Sequence, residues 1–237
     1  MTTILALALL SPATESTNIN AYLQTGFKDA SFTTKVVQKN QRELAKINDD
    51  FGMAYRFSTV NVRVKEPFKI RIDANVEDTK AWYIVNDQRS QFKVPRIGVN
   101  SRTDLTHKPG SRQTVLDSGI LTPSLFVDFL DAKFVRMDRA TGDAVFDITF
   151  NARYNDKTRF RVWMDPEKKY IAKREWYHRS GRMIATFVYE APVSENGVTF
   201  PTKQTIRNGD DVVSGVTVNT AVKLNQGVPD DVFSIKG

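Results

Sequence analysis

Glu175 and His178 stand three residues apart. On a helix that spacing puts a carboxylate and an imidazole on one face, where they could share a proton or hold a metal. Here both fall in a strand-and-turn stretch, Ile171 to Tyr177 followed by Arg179-Ser180-Gly181. Successive strand residues face opposite sides, so the spacing loses its helical meaning. The second histidine, His107, has only Asp104 as a nearby acidic residue in its basic stretch. Asp49-Asp50 and Asp210-Asp211 have the surroundings of turn residues. Cys is absent and His numbers 2. A thiolate nucleophile and an iron–sulfur cluster are therefore excluded, and two histidines argue against a multi-histidine metal centre. The phosphate-cradling glycine loops and the Gly-x-Ser-x-Gly elbow are missing too. The expectation is a protein that is not an enzyme and needs no metal or cofactor.

Binding chemistry is better represented. Lys and Arg number 34 against 27 Asp and Glu, for a net charge of +7 in 237 residues. A basic balance suits anionic partners. Much of the excess sits in residues 88–113, where Arg89, Lys93, Arg96, Arg102, Lys108 and Arg112 face only Asp104. Arginine and aromatic residues interleave in Arg159-Phe160-Arg161-Val162-Trp163 and in Arg174-Glu175-Trp176-Tyr177. Stacking platforms for single-stranded nucleic acid have that composition. So does any strand with one wet and one buried face, and no nucleic-acid partner is expected. The aromatic content, Phe 15, Tyr 7 and Trp 3, is the positive feature.

The elements that must position these residues read as mainly β with a few helices, an α+β chain. Ile19, Tyr22, Leu23, Phe27 and Ala30 recur at helical spacing and predict a first helix over 18–30. Asn40 with Glu43 forms a capping-box pattern, and 41–50 reads as a short helix. From Met53 the period becomes two, predicting a strand through Val64 and, after Pro67, a second over 68–73. Trp82 to Val85 and Gln91 to Val94 read as a hairpin, and 95–114 as irregular. Thr122-Pro123-Ser124 opens a helix carrying Leu125, Phe126, Phe129 and Leu130. Six strands follow: 145–154, 159–164, 171–177, 183–189, 198–206 and 212–224, parted by turn signals such as Glu195-Asn196-Gly197. Consecutive strands with short turns make an antiparallel meander. The prediction is a single large curved antiparallel sheet, with short helices over one face.

Ile4 to Leu10 is a short apolar run followed by Ser11-Pro12-Ala13. That pattern reads as a signal peptide over residues 1–13, leaving one domain over 14–237 in an extracytoplasmic, periplasmic setting. No run approaches the roughly 20 apolar residues of a membrane-spanning helix.

Three stretches carry a family resemblance. They are Val62-Arg63-Val64-Lys65-Glu66-Pro67-Phe68-Lys69-Ile70-Arg71, the pair Trp163-Met164-Asp165-Pro166-Glu167 and Ile171-Ala172-Lys173-Arg174-Glu175, and Asn196-Gly197-Val198-Thr199-Phe200-Pro201-Thr202 with the ending Asn225 to Phe233. In these the chain resembles the outer-membrane lipoprotein-sorting proteins, the periplasmic lipoprotein-carrier (LolA-like) superfamily. The resemblance implies an unclosed β-barrel with a helical lid over a hydrophobic cavity. It implies as partner an acylated lipoprotein or lipid, with transient contact to a membrane or to membrane-bound donor and acceptor proteins. It also implies an arginine on an early strand that holds the lid, for which Arg56 and then Arg63 are the candidates. Alternation selects Tyr55, Phe57, Phe68, Ile70, Trp82, Phe126, Phe129, Phe160 and Trp176 to line the cavity of a monomer. The chain is longer than the best-known carriers. An envelope sensor of the same fold, binding a partner protein, is the alternative.

Overall fold

The computed structural model describes residues 16–76 and 79–235; the predicted signal segment lies outside them. Among the described residues, alternating side chains build thirteen strands. The first half holds β1 (Asp29–Lys39), β2 (Thr59–Lys65), β3 (Lys69–Val76), β4 (Thr79–Asn86), β5 (Arg89–Val94) and β6 (Val99–Asp104). The second holds β7 (Leu130–Met137), β8 (Ala144–Phe150), β9 (Arg159–Met164), β10 (Ile171–Tyr177), β11 (Met183–Glu195), β12 (Val198–Asn208) and β13 (Val213–Leu224). They form one sheet in the order β6-β5-β4-β3-β2-β1-β13-β12-β11-β10-β9-β8-β7. Every neighbouring pair is antiparallel. The first and last strands meet in the middle, and β6 and β7 end the sheet without pairing to each other. The barrel is therefore open.

Two excursions leave this meander. One joins β1 to β2 and carries α1 (Gln41–Ala45) and α2 (Asp49–Ala54). The other, residues 105–129, joins the two sheet edges through short 3₁₀ turns and α3 (Leu125–Asp128). Its Leu105, Val115, Leu116, Ile120, Leu121, Leu125 and Phe129 are buried and belong to the main core cluster, with inward residues of the strands. This segment is the lid. A separate small cluster of Ile84, Val228 and Phe233 lies on the outer face, where the C-terminal tail straps the sheet.

Several sequence expectations change. The stretch 18–30 forms only a 3₁₀ turn, Ile19–Tyr22, capped by the Asn18 side chain. A helix of three turns is marginal alone, and Asp29 and Ala30 instead pair with β2, with Ala30 also opposite Leu224 of β13. The 41–50 helix is broken into α1 and α2. Residues 55–58 are not strand, since β2 begins at Thr59. Strand β6 sits inside the stretch read as irregular. It is an edge strand whose Ser101 and Thr103 share a face with Val99, so apolar alternation is missing. Strand β7 was also invisible, because a bulge between Phe134 and Arg136 shifts its phase.

Candidate functional site

A cleft of about 250 Å³ opens between the first half of the sheet and the lid. One wall is mainly apolar, built by inward residues of β1, β2 and β3: Phe32, Val36, Val60, Val62, Val64, Ile70 and Ile72, with Thr34 among them. Tyr55 and Phe57, from the excursion after β1, extend it. The facing wall is polar, with Gln113, Asp117 and Ser118 from the lid and Tyr189, Gln204, Thr217 and Asn219 from the sheet. The Tyr55 ring lies where a Cβ at residue 215 would stand, 2.6 Å from Cε1, so Gly215 makes its seat. Burial pushes the Tyr55 hydroxyl well above the ordinary phenol range and that of Tyr189 up to about 12. Both are neutral hydrogen-bonding groups in a low-dielectric wall. Among the described residues no group of three or more His, Cys, Asp or Glu could hold a metal ion.

The lid is fastened at several polar points. Asp117 accepts a hydrogen bond from the Arg174 Nη1 at 3.0 Å, and Arg174 is only 4% exposed. The Arg174 guanidinium lies 4.2 Å from the Phe187 ring centroid. The Asp117 carboxylate also accepts from the Thr114 N–H, completing a capping box over the 3₁₀ turn Val115–Ser118. Arg112, on the lid itself, pairs with Asp87 in the turn between β4 and β5. Its guanidinium stacks 3.8 Å over Phe68 and 5.0 Å from Phe129. Glu66 accepts from the hydroxyls of Thr122, at 2.9 Å, and Ser124. Burial pushes the Glu66 carboxyl up, against the opposing effect of those two hydroxyls. The backbone adds ties at the ends of the lid, Leu105 N–H to Gln88 C=O at 2.7 Å and Asn151 N–H to Phe129 C=O at 2.9 Å, and in its middle, Gln24 N–H to Leu121 C=O and Ile171 N–H to Gly119 C=O, each at 2.8 Å. Gly119 is required there. Its φ is +82°, and a Cβ would stand 2.7 Å from Tyr189 and 2.9 Å from Pro201.

The predicted lining residues scatter across this arrangement. Tyr55, Phe57 and Ile70 come together in the cleft. Phe68 and Phe129 pack edge-on, with ring centroids 5.3 Å apart, beneath Arg112. Phe160 and Trp176 stand 6.4 Å apart in the core, alongside Phe150 and Phe51. Phe126 is half-buried against the same core. Trp82 is on the outer face, packed on the Ile84–Phe233 cluster and beneath Lys93. Arg56 is exposed. Arg63 is also on the outer face, bonded to Asp73 at 2.6 Å. The arginines that touch the lid's fastenings are Arg174 and Arg112. A signal for Arg174 was present, since it shares the inward phase of β10 with Ala172 and Trp176.

Solved structures place this architecture. The chain is similar to a domain described as an outer membrane lipoprotein-sorting protein from Vibrio parahaemolyticus, at 12% identity and a TM-score of 0.54 over 91% of this chain and 92% of that one. It is similar to a LolA superfamily protein from Nitrosomonas europaea, at 15% identity and a TM-score of 0.55 over 89% and 90%. A DUF1329 family protein from Desulfovibrio piger gives 9% identity and a TM-score of 0.53 over 92% and 93%. The fold is thus that of the LolA superfamily structures. No family model matches the sequence, and no curated protein matches it.

Proposed function

We propose that the chain is an extracytoplasmic, non-catalytic binding protein that takes the acyl chains of a lipoprotein or lipid into the cleft beneath its lid. The observation that carries the reading is the cleft itself: a mainly apolar wall on β1, β2 and β3, closed by a separate segment that is tied to the sheet through polar contacts. At about 250 Å³ the cleft is smaller than the usual ligand pocket of roughly 300–1,000 Å³. Lid side chains such as Leu116 and Leu121 occupy the rest of the barrel interior. A long chain enters by displacing them, so cargo and lid compete for the same surface. Each methylene withdrawn from water contributes about 0.8 kcal/mol. That competition keeps net affinity low enough for release.

Native mass spectrometry with lipid extraction, on protein exported to a bacterial periplasm, tests the reading. Discrete adducts that extract as acylated molecules are expected. A clean apo mass, together with no displacement of a hydrophobic dye by added lipid, overturns it and leaves the partner-binding sensor as the better account.

A further inference from the structure

The turn between β5 and β6, Pro95-Arg96-Ile97-Gly98, presents an apolar tip that is left uncovered by the described residues. Ile97 is 70% exposed. The turn is well defined: Pro95 opens a 3₁₀ turn, and Gly98, at φ +69°, closes it with an N–H bond to the Pro95 carbonyl at 3.0 Å. Three cations surround the tip. Arg96 reaches the Thr79 hydroxyl at 3.3 Å, Lys93 lies 5.5 Å from the Trp82 ring centroid, and Lys80 is exposed on β4. None of the three forms an ion pair among the described residues. This is the same stretch that holds much of the chain's positive excess. Glu77 and Asp78, the carboxylates nearest Lys80 in sequence, lie outside the described residues.

Register locates the tip relative to the cleft. Val60 pairs with Ala74, Ala74 with Ala81, and Trp82 with Lys93. The tip after Val94 therefore stands at the same end of the sheet as Val60, which lines the cleft beside Phe57. We infer that this tip is a docking point for an anionic bilayer surface, with Ile97 entering the interfacial layer and Lys80, Lys93 and Arg96 meeting lipid phosphates. A bilayer is favoured over a protein partner because the apolar element is a single protruding side chain with cations close by. A fluid interface accepts such a tip without a matching socket, while the cations gain from the negative surface potential. Trp82 belongs to the residue type enriched at that depth. The inference goes beyond acyl binding in the cleft and stands independently of it.

Sedimentation of the whole chain with phosphatidylglycerol–phosphatidylcholine vesicles, beside pure phosphatidylcholine vesicles, reads the partition coefficient. Preferential binding to the anionic vesicles, weakened by added salt, is expected. Ile97→Asp should lower the coefficient about tenfold or more. Lys93→Gln with Arg96→Gln should lower it on the order of tenfold to thirtyfold. Both substitutions are on the surface, and unchanged dye binding in the cleft together with unchanged thermal unfolding confirms that they report docking alone. No anionic preference in the parent chain overturns the inference. So does an undiminished coefficient in both variants, which assigns membrane contact to another surface. Failure of the parent chain to bind dye, with its vesicle docking intact, would refute the cleft reading and leave this one standing.

Discussion

Replacing Asp117 by Asn should unlatch the lid without unfolding the sheet. The Asp117 carboxylate uses one oxygen for Arg174 and the other for the Thr114 N–H. An amide retains only one acceptor, so one contact is lost, and the buried guanidinium loses its counter-charge. Breaking a fully buried pair costs about 3–5 kcal/mol, and a charge-assisted hydrogen bond is worth about 1.5–3 kcal/mol. The Asp117 side chain is 46% exposed, so water replaces part of what is removed and the lower range applies, about 2 kcal/mol. That is roughly a thirtyfold rise in the lid-open population. Hydrogen exchange reads it directly. The Ile171 N–H is bonded to Gly119 C=O and the Ile120 N–H to Val115 C=O, so both amides should exchange faster. Amides in the centre of β11 should be much less affected. Where cargo needs an open lid, apparent affinity for a hydrophobic dye rises with the open fraction. Asp210→Asn, which removes an exposed partner of Lys46 that also holds Glu43, is the silent control. Acceleration at Ile120 and Ile171 no greater than at the centre of β11 would refute the idea that the lid opens as a unit.

Further outcomes follow from the packing of the lid, the sheet and the cleft. Gly119→Ala places a Cβ against Tyr189 and Pro201 at positive φ, and should cost about 1–3 kcal/mol in a urea unfolding curve; an unshifted midpoint contradicts the seating described. Two carboxyls give opposite pH slopes. Burial raises the folded pKa of Glu66, so its folded form holds the proton more tightly and stability falls as pH climbs from the ordinary carboxylate range through that raised value; Glu66→Gln should flatten this loss. Burial also works against ionisation of Asp147, but its hydrogen bonds to Arg161 and Arg159 outweigh it and hold the carboxyl below the ordinary range. Its stabilisation is present above the unfolded pKa and is lost as pH falls through the depressed one, and Asp147→Asn should remove that acid sensitivity. Phe57→Glu, at a half-buried lining position, should abolish dye and lipid binding with the far-ultraviolet spectrum intact. The same change at Phe160, buried among Phe150 and Trp176, should destabilise the core; a Phe57→Glu variant that still binds places the ligand elsewhere.

Much of this architecture was legible in the chain because strands write themselves at short range. Period-two alternation marked β9 and β10 to the residue, and the turn signals after residues 195 and 208 separated β11, β12 and β13 correctly. Single-sheet topology followed from the lack of helices between those strands. The exceptions have local causes: a bulge hid β7, an uncovered edge hid β6, and pairing to β2 and β13 overrode a weak helical stripe ahead of β1. The site was less legible. Alternation says which residues share a face, but not which face is concave, so Trp82 lies outside while Phe57 lies in the cleft. Nor can spacing in the chain bring Asp117 to Arg174, 57 residues away, or Glu66 to Ser124, 58 away. Those contacts exist because the sheet curls and its two edges stay apart, obliging the segment between them to cross the interior. Composition and period determined what kind of sheet this is; the closure of the lid upon it, and hence the cleft, was decided only when distant residues met.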